Sequence, residues 1–266
     1  MSSPAPKKEL GQHWLRDIAT LDAIVDAATV EQGDTVLEIG PGLGTLTARL
    51  LKKGATVIAV EFDHVLAANL HESLTKQLGA EATRKLTVIE SDILSFDLTK
   101  LPANYKVVAN IPYYLTSHLI RILGESSNAP THASLLVQKE VAERVCAAPG
   151  DMSLLSVGAQ VFFNAYLGDV VPAELFTPPP KVDSQVLLLV RHEQPLVPVA
   201  QQKDFFRLVK AGYGERRKKL RSSLAGGLHI SKPEADSLLK KAGIDGDLRA
   251  QALSIADWQK LFTALS

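Results

Sequence analysis

Asn110-Ile111-Pro112-Tyr113 sets a short amide and a flat phenol ring close together, because the proline pushes Ile111 into an extended conformation and stiffens the chain. An amide oxygen at Asn110 can accept a hydrogen bond from an exocyclic amine, and the Tyr113 ring can stack on a purine face. The pair suits chemistry at a nucleobase amine, a weak nucleophile because its lone pair is delocalised into the ring. Hydrogen bonds from that amine to Asn110 Oδ1 and a main-chain carbonyl would favour a pyramidal nitrogen with an available lone pair. A sulfonium methyl group is already activated, so against such a donor positioning would supply much of the rate and no strong base is required.

A second constellation could hold that donor. Val36-Leu37-Glu38-Ile39-Gly40-Pro41-Gly42-Leu43-Gly44 reads as the end of a strand and the start of a helix. Its glycines, Gly40 and Gly42 above all, allow a tight turn and close approach of a ligand to the backbone. Glu61 follows Gly40 by 21 residues, where an acidic side chain can accept hydrogen bonds from both ribose hydroxyls of an adenosine-containing ligand. Dinucleotide-binding enzymes and methyltransferases share that spacing. Thr45 replaces the sixth-position glycine of the dinucleotide fingerprint, and Glu38, two residues ahead of Gly40, suits a cationic ligand and repels a pyrophosphate. A nicotinamide dehydrogenase would also leave Asn110–Tyr113 unexplained. Asp92 falls at the next strand end; it reads either as an acceptor for the ligand's adenine amine or as a turn or N-cap residue.

The elements that must position these groups are legible as short β-branched apolar runs alternating with helical stretches. The runs are Thr35–Ile39, Thr56–Val60, Leu86–Ile89, Lys106–Ala109, Ser134–Val137 and Gln185–Val190. Leu43, Leu46, Leu50 and Leu51 recur at helical spacing between the first two, and Ile18, Leu21, Ile24, Val25 and Ala28 predict an amphipathic helix ahead of them. This alternation predicts βαβ units, hence an α/β fold with a doubly wound parallel sheet covered on both faces. Thr177-Pro178-Pro179-Pro180 marks an extended connection before the last strand. From Gln201 the pattern is helical to the end, so we expect one domain over residues 1–195 and a small all-helical domain over residues 196–266.

At 46% hydrophobic and 22% charged, the 266-residue composition is that of a soluble globular protein. No apolar run is long enough to span a bilayer, and Met-Ser-Ser-Pro-Ala-Pro-Lys-Lys lacks the apolar stretch of a signal peptide, so a cytoplasmic location and no membrane partner are expected. The single cysteine, Cys146, excludes an intramolecular disulfide and leaves no basis for a cysteine zinc site; it is expected to be a small buried hydrophobe, and no metal is expected. Net charge is zero but uneven: residues 200–266 hold 13 Lys/Arg against seven Asp/Glu. Lys210, Arg216, Arg217, Lys218, Lys219 and Arg221 lie where Phe206, Val209, Tyr213, Leu220 and Leu224 keep helical spacing. A helix there would dock its apolar face and present cations for phosphate contacts, although a merely solvated face would carry the same residues.

Six segments, in order, resemble the KsgA-type family of ribosomal RNA adenine dimethyltransferases. They are Lys8–Leu15, Leu37–Thr45, Asn110–Tyr113, Gln138–Arg144, Phe176–Ser184 and Tyr213–Arg221, and together they run over nearly the whole chain. The resemblance implies a Rossmann-like class I methyltransferase fold and S-adenosylmethionine as cofactor. The substrate it implies is two adjacent adenines near the 3′ end of 16S rRNA, each dimethylated, within the small ribosomal subunit or its precursor, by a protein expected to be a monomer. It maps cofactor contacts onto His13, Leu15, Gly40, Glu61, Asp92 and Asn110, and sets Phe176 opposite Tyr113 to sandwich an extruded base. The chain departs from the family's usual Asn-Phe at His13-Trp14, and is shorter around residues 150–155, without a Tyr-Gly pair often found there. A large-subunit adenine methyltransferase of the antibiotic-resistance type is the nearest alternative, a non-catalytic RNA-binding relative the next.

Overall fold

The computed structural model describes residues 6–7, 11–215 and 217–265. Strands, numbered along the chain, are β1 (Trp14–Leu15), β2 (Thr35–Ile39), β3 (Thr56–Glu61), β4 (Leu86–Glu90), β5 (Lys106–Asn110), β6 (His132–Gln138), β7 (Phe163–Val171), β8 (Phe176–Thr177) and β9 (Ser184–Arg191). Helices are α1 (Ile18–Ala27), α2 (Thr45–Lys52), α3 (His64–Leu78), α4 (Ala80–Thr83), α5 (Thr116–Glu125), α6 (Lys139–Val145) and α7 (Leu154–Gln160), followed by α8 (Val199–Tyr213), α9 (Leu220–Leu228), α10 (Lys232–Lys241) and α11 (Ile255–Leu265).

Among the described residues, seven strands form one sheet in the order β4-β3-β2-β5-β6-β9-β7, and β1 pairs with β8 in a separate ribbon. Every one of the six apolar runs is a strand of the main sheet. β2, β3, β4, β5 and β6 are parallel where they pair, as the βαβ alternation requires. The expectation of an all-parallel sheet needs one correction, since β9 runs antiparallel to β6. No crossover helix separates β9 from the strand before it, so it can return against β6 in the opposite sense. β7, at the sheet edge, was not anticipated; its sequence FNAYLGDVV lacks a continuous apolar run because most of its side chains are exposed.

Local chemistry sets the helix starts. Asp17 caps α1 by accepting the Thr20 N–H, and Asp63 caps α3 by accepting those of Val65 and Leu66. Of the α1 stripe predicted from spacing, Leu21, Ile24 and Val25 are buried against Leu50, Val57 and other residues of one apolar cluster, whereas Ile18, in the first turn, is exposed. A fully buried aliphatic side chain of this kind contributes about 1.5–3 kcal/mol.

The chain divides into two compact units. One takes the chain up to Ala142 together with Asn164–Arg191; the other takes Glu143–Phe163 and the chain from His192 onward. The expected boundary near residue 195 lies close to the last crossing, but Glu143–Phe163 packs with the helices rather than with the sheet. Met152, Val157 and Val161 from that segment join a core built around Phe205, Leu208, Leu220, Leu224, Trp258 and Leu261. The basic run is not one helix: α8 stops at Tyr213 and α9 starts at Leu220, so residues 214–219 connect two helices. Cys146 is half-buried, and burial pushes its thiol up to about 11.

In the helical unit α8 and α9 approach through glycine. A Cβ at Gly227 would stand 2.5 Å from Ala211 Cα, a backbone atom that cannot yield, whereas at Gly226 it would meet only Glu215 Oε1 at 3.7 Å. Gly227→Ala is therefore expected to cost about 1–3 kcal/mol by overpacking, and Gly226→Ala to be neutral or to add about 0.5–1 kcal/mol. Urea denaturation of the two variants checks this, and equal stabilities would contradict the packing assigned to α9.

Candidate active site

Strand order reverses between β2 and β5: the chain leaves β2 outward to β3 and β4, then returns to β5 on the other side. The crevice at the carboxyl ends of two such strands is where open α/β sheets take ligands. Register pairs Ile39 with Ala109, so the glycine loop and Asn110 leave the sheet side by side. A single cleft follows, lined by residues of the N-terminal segment, the glycine loop, the ends of β3 and β4, and Asn110–Leu115.

The glycine loop is built by positive backbone angles and held by a carboxylate. Gly44 has φ +80° and starts α2; a Cβ there would lie 2.7 Å from Leu70. Gly42 has φ +56°, and its N–H donates to Glu61 Oε2 at 3.0 Å, while the Asp63 N–H donates to Glu61 Oε1 at 2.9 Å. Glu61 thus ties the loop to the end of β3. Each of its oxygens keeps acceptor capacity, which ribose hydroxyls can use. Burial raises its carboxyl above the usual range, with the two N–H donors partly opposing that shift.

Glu38 is 1% exposed and forms part of the same cleft's lining. Neither of its oxygens has a hydrogen-bond partner among the described residues. Burial, and to a lesser degree the Glu61 charge, push its carboxyl up to about 8; Thr47 opposes this only partly, from outside hydrogen-bond geometry. Two buried carboxyls with few donors make a site that a cation would relieve, and that a pyrophosphate would burden further. This is the chemistry expected of a pocket for a sulfonium and ammonium-bearing ligand.

Asn110 is oriented by the N-terminal segment. Its Nδ2 donates to the His13 carbonyl at 3.2 Å, so the amide nitrogen is committed and Oδ1 is left as an acceptor. His13 Nδ1–H donates to the Pro178 carbonyl at 2.7 Å, and its ring stacks with that of Tyr113, centroids 6.0 Å apart. The Tyr113 hydroxyl shares a hydrogen bond of 2.8 Å with Ser184 Oγ. Burial raises the phenol, chiefly, and keeps it protonated; it is not a base. Pro112 begins a short 3-10 turn over Tyr113–Leu115. Asp92 lines the cleft, with Oδ1 accepting the Leu94 N–H at 2.9 Å, so both readings of this residue, turn former and cleft acceptor, fit its position.

His13, Leu15, Gly40, Gly42, Glu61, Asp92, Asn110, Pro112 and Tyr113 are thus brought to one cleft. Leu15 contributes there mainly backbone: its side chain is 1% exposed, and its carbonyl accepts from Thr45 Oγ1 at 2.9 Å. Phe176 is not brought there. It pairs with Leu15 in the β1–β8 ribbon and is 3% exposed within the apolar cluster. Its ring is packed with the apolar cluster, and no ring contact between it and Tyr113 is present among the described residues.

The basic residues belong to the helical unit, and only some are open. Lys210, Arg217 and Lys218 are exposed, while Lys219 pairs with Asp247 at 3.0 Å and Arg221 pairs with Asp236 and Asp247. Those partners lie on α10 and the turn after it, far along the chain, which spacing could not reveal. Arg216 and Lys8–Leu10 lie outside the described residues. Sequence reasoning also missed Phe62 and Leu94, exposed side chains that line the cleft one residue after Glu61 and two after Asp92. Position at a strand's carboxyl end was the available signal. Among the described residues no cluster of three His, Cys, Asp or Glu is placed to hold a metal, and no helix is long and apolar enough to cross a membrane.

The buried carboxyl makes a pH prediction. Glu38 holds its proton more tightly in the folded protein than in the unfolded chain, so stability falls as pH rises from the ordinary carboxylate range through about 8. Glu61, shifted in the same direction, adds to the slope. Glu38→Gln cannot ionise; the ligand-free variant is expected to lose less Tm over that window and to melt higher than the parent at its upper end. Parallel Tm-against-pH curves would remove the assignment.

Comparison with known proteins accords with this geometry. A model of the family described as "Ribosomal RNA adenine dimethylase" matches residues 5–266. The chain is 43% identical over 258 residues to ribosomal RNA small subunit methyltransferase A of Dehalococcoides mccartyi (strain CBDB1), covering 96% of this chain and 87% of that protein. It is 36% identical over 271 residues to the protein of that name from Streptococcus pneumoniae, covering 97% and 91%. A dimethyladenosine transferase from Plasmodium falciparum superposes with a TM-score of 0.79 at 27% identity, over 94% of this chain and 96% of that one. The 23S rRNA methyltransferase ErmE gives 0.75 at 27%, over 95% and 99%. A match over nearly the full length, with a cleft that joins a cation-suited cofactor floor to an oriented Asn110, places this chain in the ribosomal RNA adenine dimethylase family.

Proposed function

We propose that the protein transfers methyl groups from S-adenosylmethionine to the exocyclic amines of two adjacent adenines near the 3′ end of 16S rRNA, in the small ribosomal subunit or its precursor. The observation that carries the reading is the Asn110 amide, turned by the His13 carbonyl so that its oxygen is free beside the glycine loop. When bound, S-adenosylmethionine supplies a methyl group on a positively charged sulfur. Glu61 would receive the ribose hydroxyls, Asp92 would accept from the adenine amine, and Glu38, protonated in the ligand-free protein, would lend negative potential once a bound cation draws off its proton. His13, Leu15, Gly40 and Gly42 shape the walls.

Asn110 Oδ1 and a main-chain carbonyl would accept hydrogen bonds from the two N–H groups of the target amine, leaving its lone pair available for the methyl group that the cofactor would supply. Tyr113, protonated and held by Ser184, offers its ring face to the extruded purine. The proton released from the amine passes to solvent, since no buried base is required. Lys210, Arg217 and Lys218 in the helical unit contact phosphates and set the register of the RNA, with Arg216 of the same basic run as a further contact. In this reading residues 1–195 carry cofactor binding and catalysis and residues 196–266 RNA binding, with Glu143–Phe163 packed among the helices of the latter.

The similarity to ErmE keeps one second reading in view, methylation of large-subunit rRNA. The small-subunit reading is favoured by relatives at 36–43% identity that carry that name. Radiolabelled S-adenosylmethionine offered to undermethylated small and large subunits in parallel, followed by nucleoside analysis, decides between them. Dimethyladenosine from the small subunit alone is expected; label confined to the large subunit would transfer the protein to the other reading. Asn110→Ala is expected to lower kcat roughly hundredfold, the scale for losing one oriented hydrogen bond at a reacting centre, with cofactor affinity changed only a few-fold. Equal losses in both would contradict the amine-orienting role.

A further inference from the structure

Consecutive tyrosines after Pro112 stand in opposite environments. Tyr113 is half-buried, bonded to Ser184 and stacked with His13. Tyr114 lines the same cleft yet is 64% exposed, and its hydroxyl has no partner among the described residues. The turn that carries them is braced on both sides. The Leu115 N–H donates to the Pro112 carbonyl at 3.0 Å, and Thr116 Oγ1 donates to the Tyr113 carbonyl at 3.0 Å as α5 begins. The backbone of Tyr114 is therefore held at the cleft's edge, and its ring is open to solvent there.

We infer that Tyr114 is a positioning residue that stacks on the base flanking the target nucleotide. This rests on the RNA reading proposed above. A purine drawn into the cleft beside Asn110 leaves its neighbour in the strand unstacked on one face. That neighbour emerges at the mouth, where an open aromatic ring offers a sequence-tolerant platform. The other large exposed ring of the cleft, Phe62, follows Glu61 at the end of β3 and so belongs to the ribose end. Tyr114 belongs to the substrate end, because it extends from the turn that carries Asn110 and Tyr113. Where two adjacent adenines are modified in turn, a platform for the neighbouring base would hold either one while the other reacts.

The test is methylation kinetics on undermethylated small ribosomal subunits with the full-length protein, Tyr114→Ala and Tyr114→Phe, alongside cofactor affinity by calorimetry. Tyr114→Ala is expected to raise KM for the subunit roughly tenfold or more, the scale of one lost base–aromatic stack. Its kcat and its affinity for S-adenosylmethionine should stay within about twofold, and Tyr114→Phe should restore KM. Unchanged KM, or a loss confined to kcat, would overturn the role. So would weakened cofactor binding, which would assign the ring to the N-terminal segment, where a Cβ at Gly11 would approach it to 3.9 Å. If the unsubstituted protein labels neither subunit, the functional reading falls and this one with it. Normal labelling with unchanged KM in Tyr114→Ala removes the Tyr114 role alone.

Discussion

The parallel pairing of β2 with β5 is the constraint on which the rest of the site depends. Four register pairs join strands that are distant in sequence, and that register sets the glycine loop beside Asn110. Both strands are buried on both faces, so a slip in register would expose apolar side chains and displace both loops together. Reversal of strand order at this point opens the crevice, and the glycine conformations and Asn110 are elaborations on it. Close approach is literal: a Cβ at Gly40 would stand 3.9 Å from the Asn110 carbonyl oxygen.

Over that crevice, segments far apart in the chain are tied to one another. β1 pairs with β8, His13 donates to Pro178, and the His13 carbonyl receives the Asn110 amide. The N-terminal segment is therefore both a wall of the cleft and the group that fixes the orientation of its central side chain. Departure from the usual Asn-Phe makes sense in these terms. The His13 imidazole supplies a donor for Pro178, and the Trp14 ring lies close over the glycine loop, 3.7 Å from where a Cβ at Gly42 would be. The buried Glu38 works against stability in the ligand-free protein, which is the usual sign of a group kept for binding rather than for folding.

The helical unit shows how charge counts mislead when partners are unknown. A basic C-terminal segment was evident, but Lys219 and Arg221 are neutralised by Asp236 and Asp247. Lys210, Arg217 and Lys218 remain exposed, two of them on the connection between α8 and α9. Exposed cations on a short connection between packed helices can follow a phosphate backbone with little strain in the core, which is built from Phe205, Leu208, Leu224 and Trp258.

Patterns confined to a few neighbouring residues determined much of this protein without any structure. Alternating apolar runs located six strands, glycines with Glu61 located the loop and its anchor, and Asn110–Tyr113 located another wall of the same cleft. These succeed because helix period, turn chemistry and the carboxyl edge of a parallel sheet are local properties. Tertiary structure decided the direction of β9, the existence of β7, the place of Glu143–Phe163 among the helices, and the burial of Phe176. Each of those depends on what a segment meets far along the chain, or on an exposed edge that leaves no apolar signature. A strand's sequence carries its preference for a pleated, half-buried surface, but its partner, its direction and the face it presents are set only when the whole core closes.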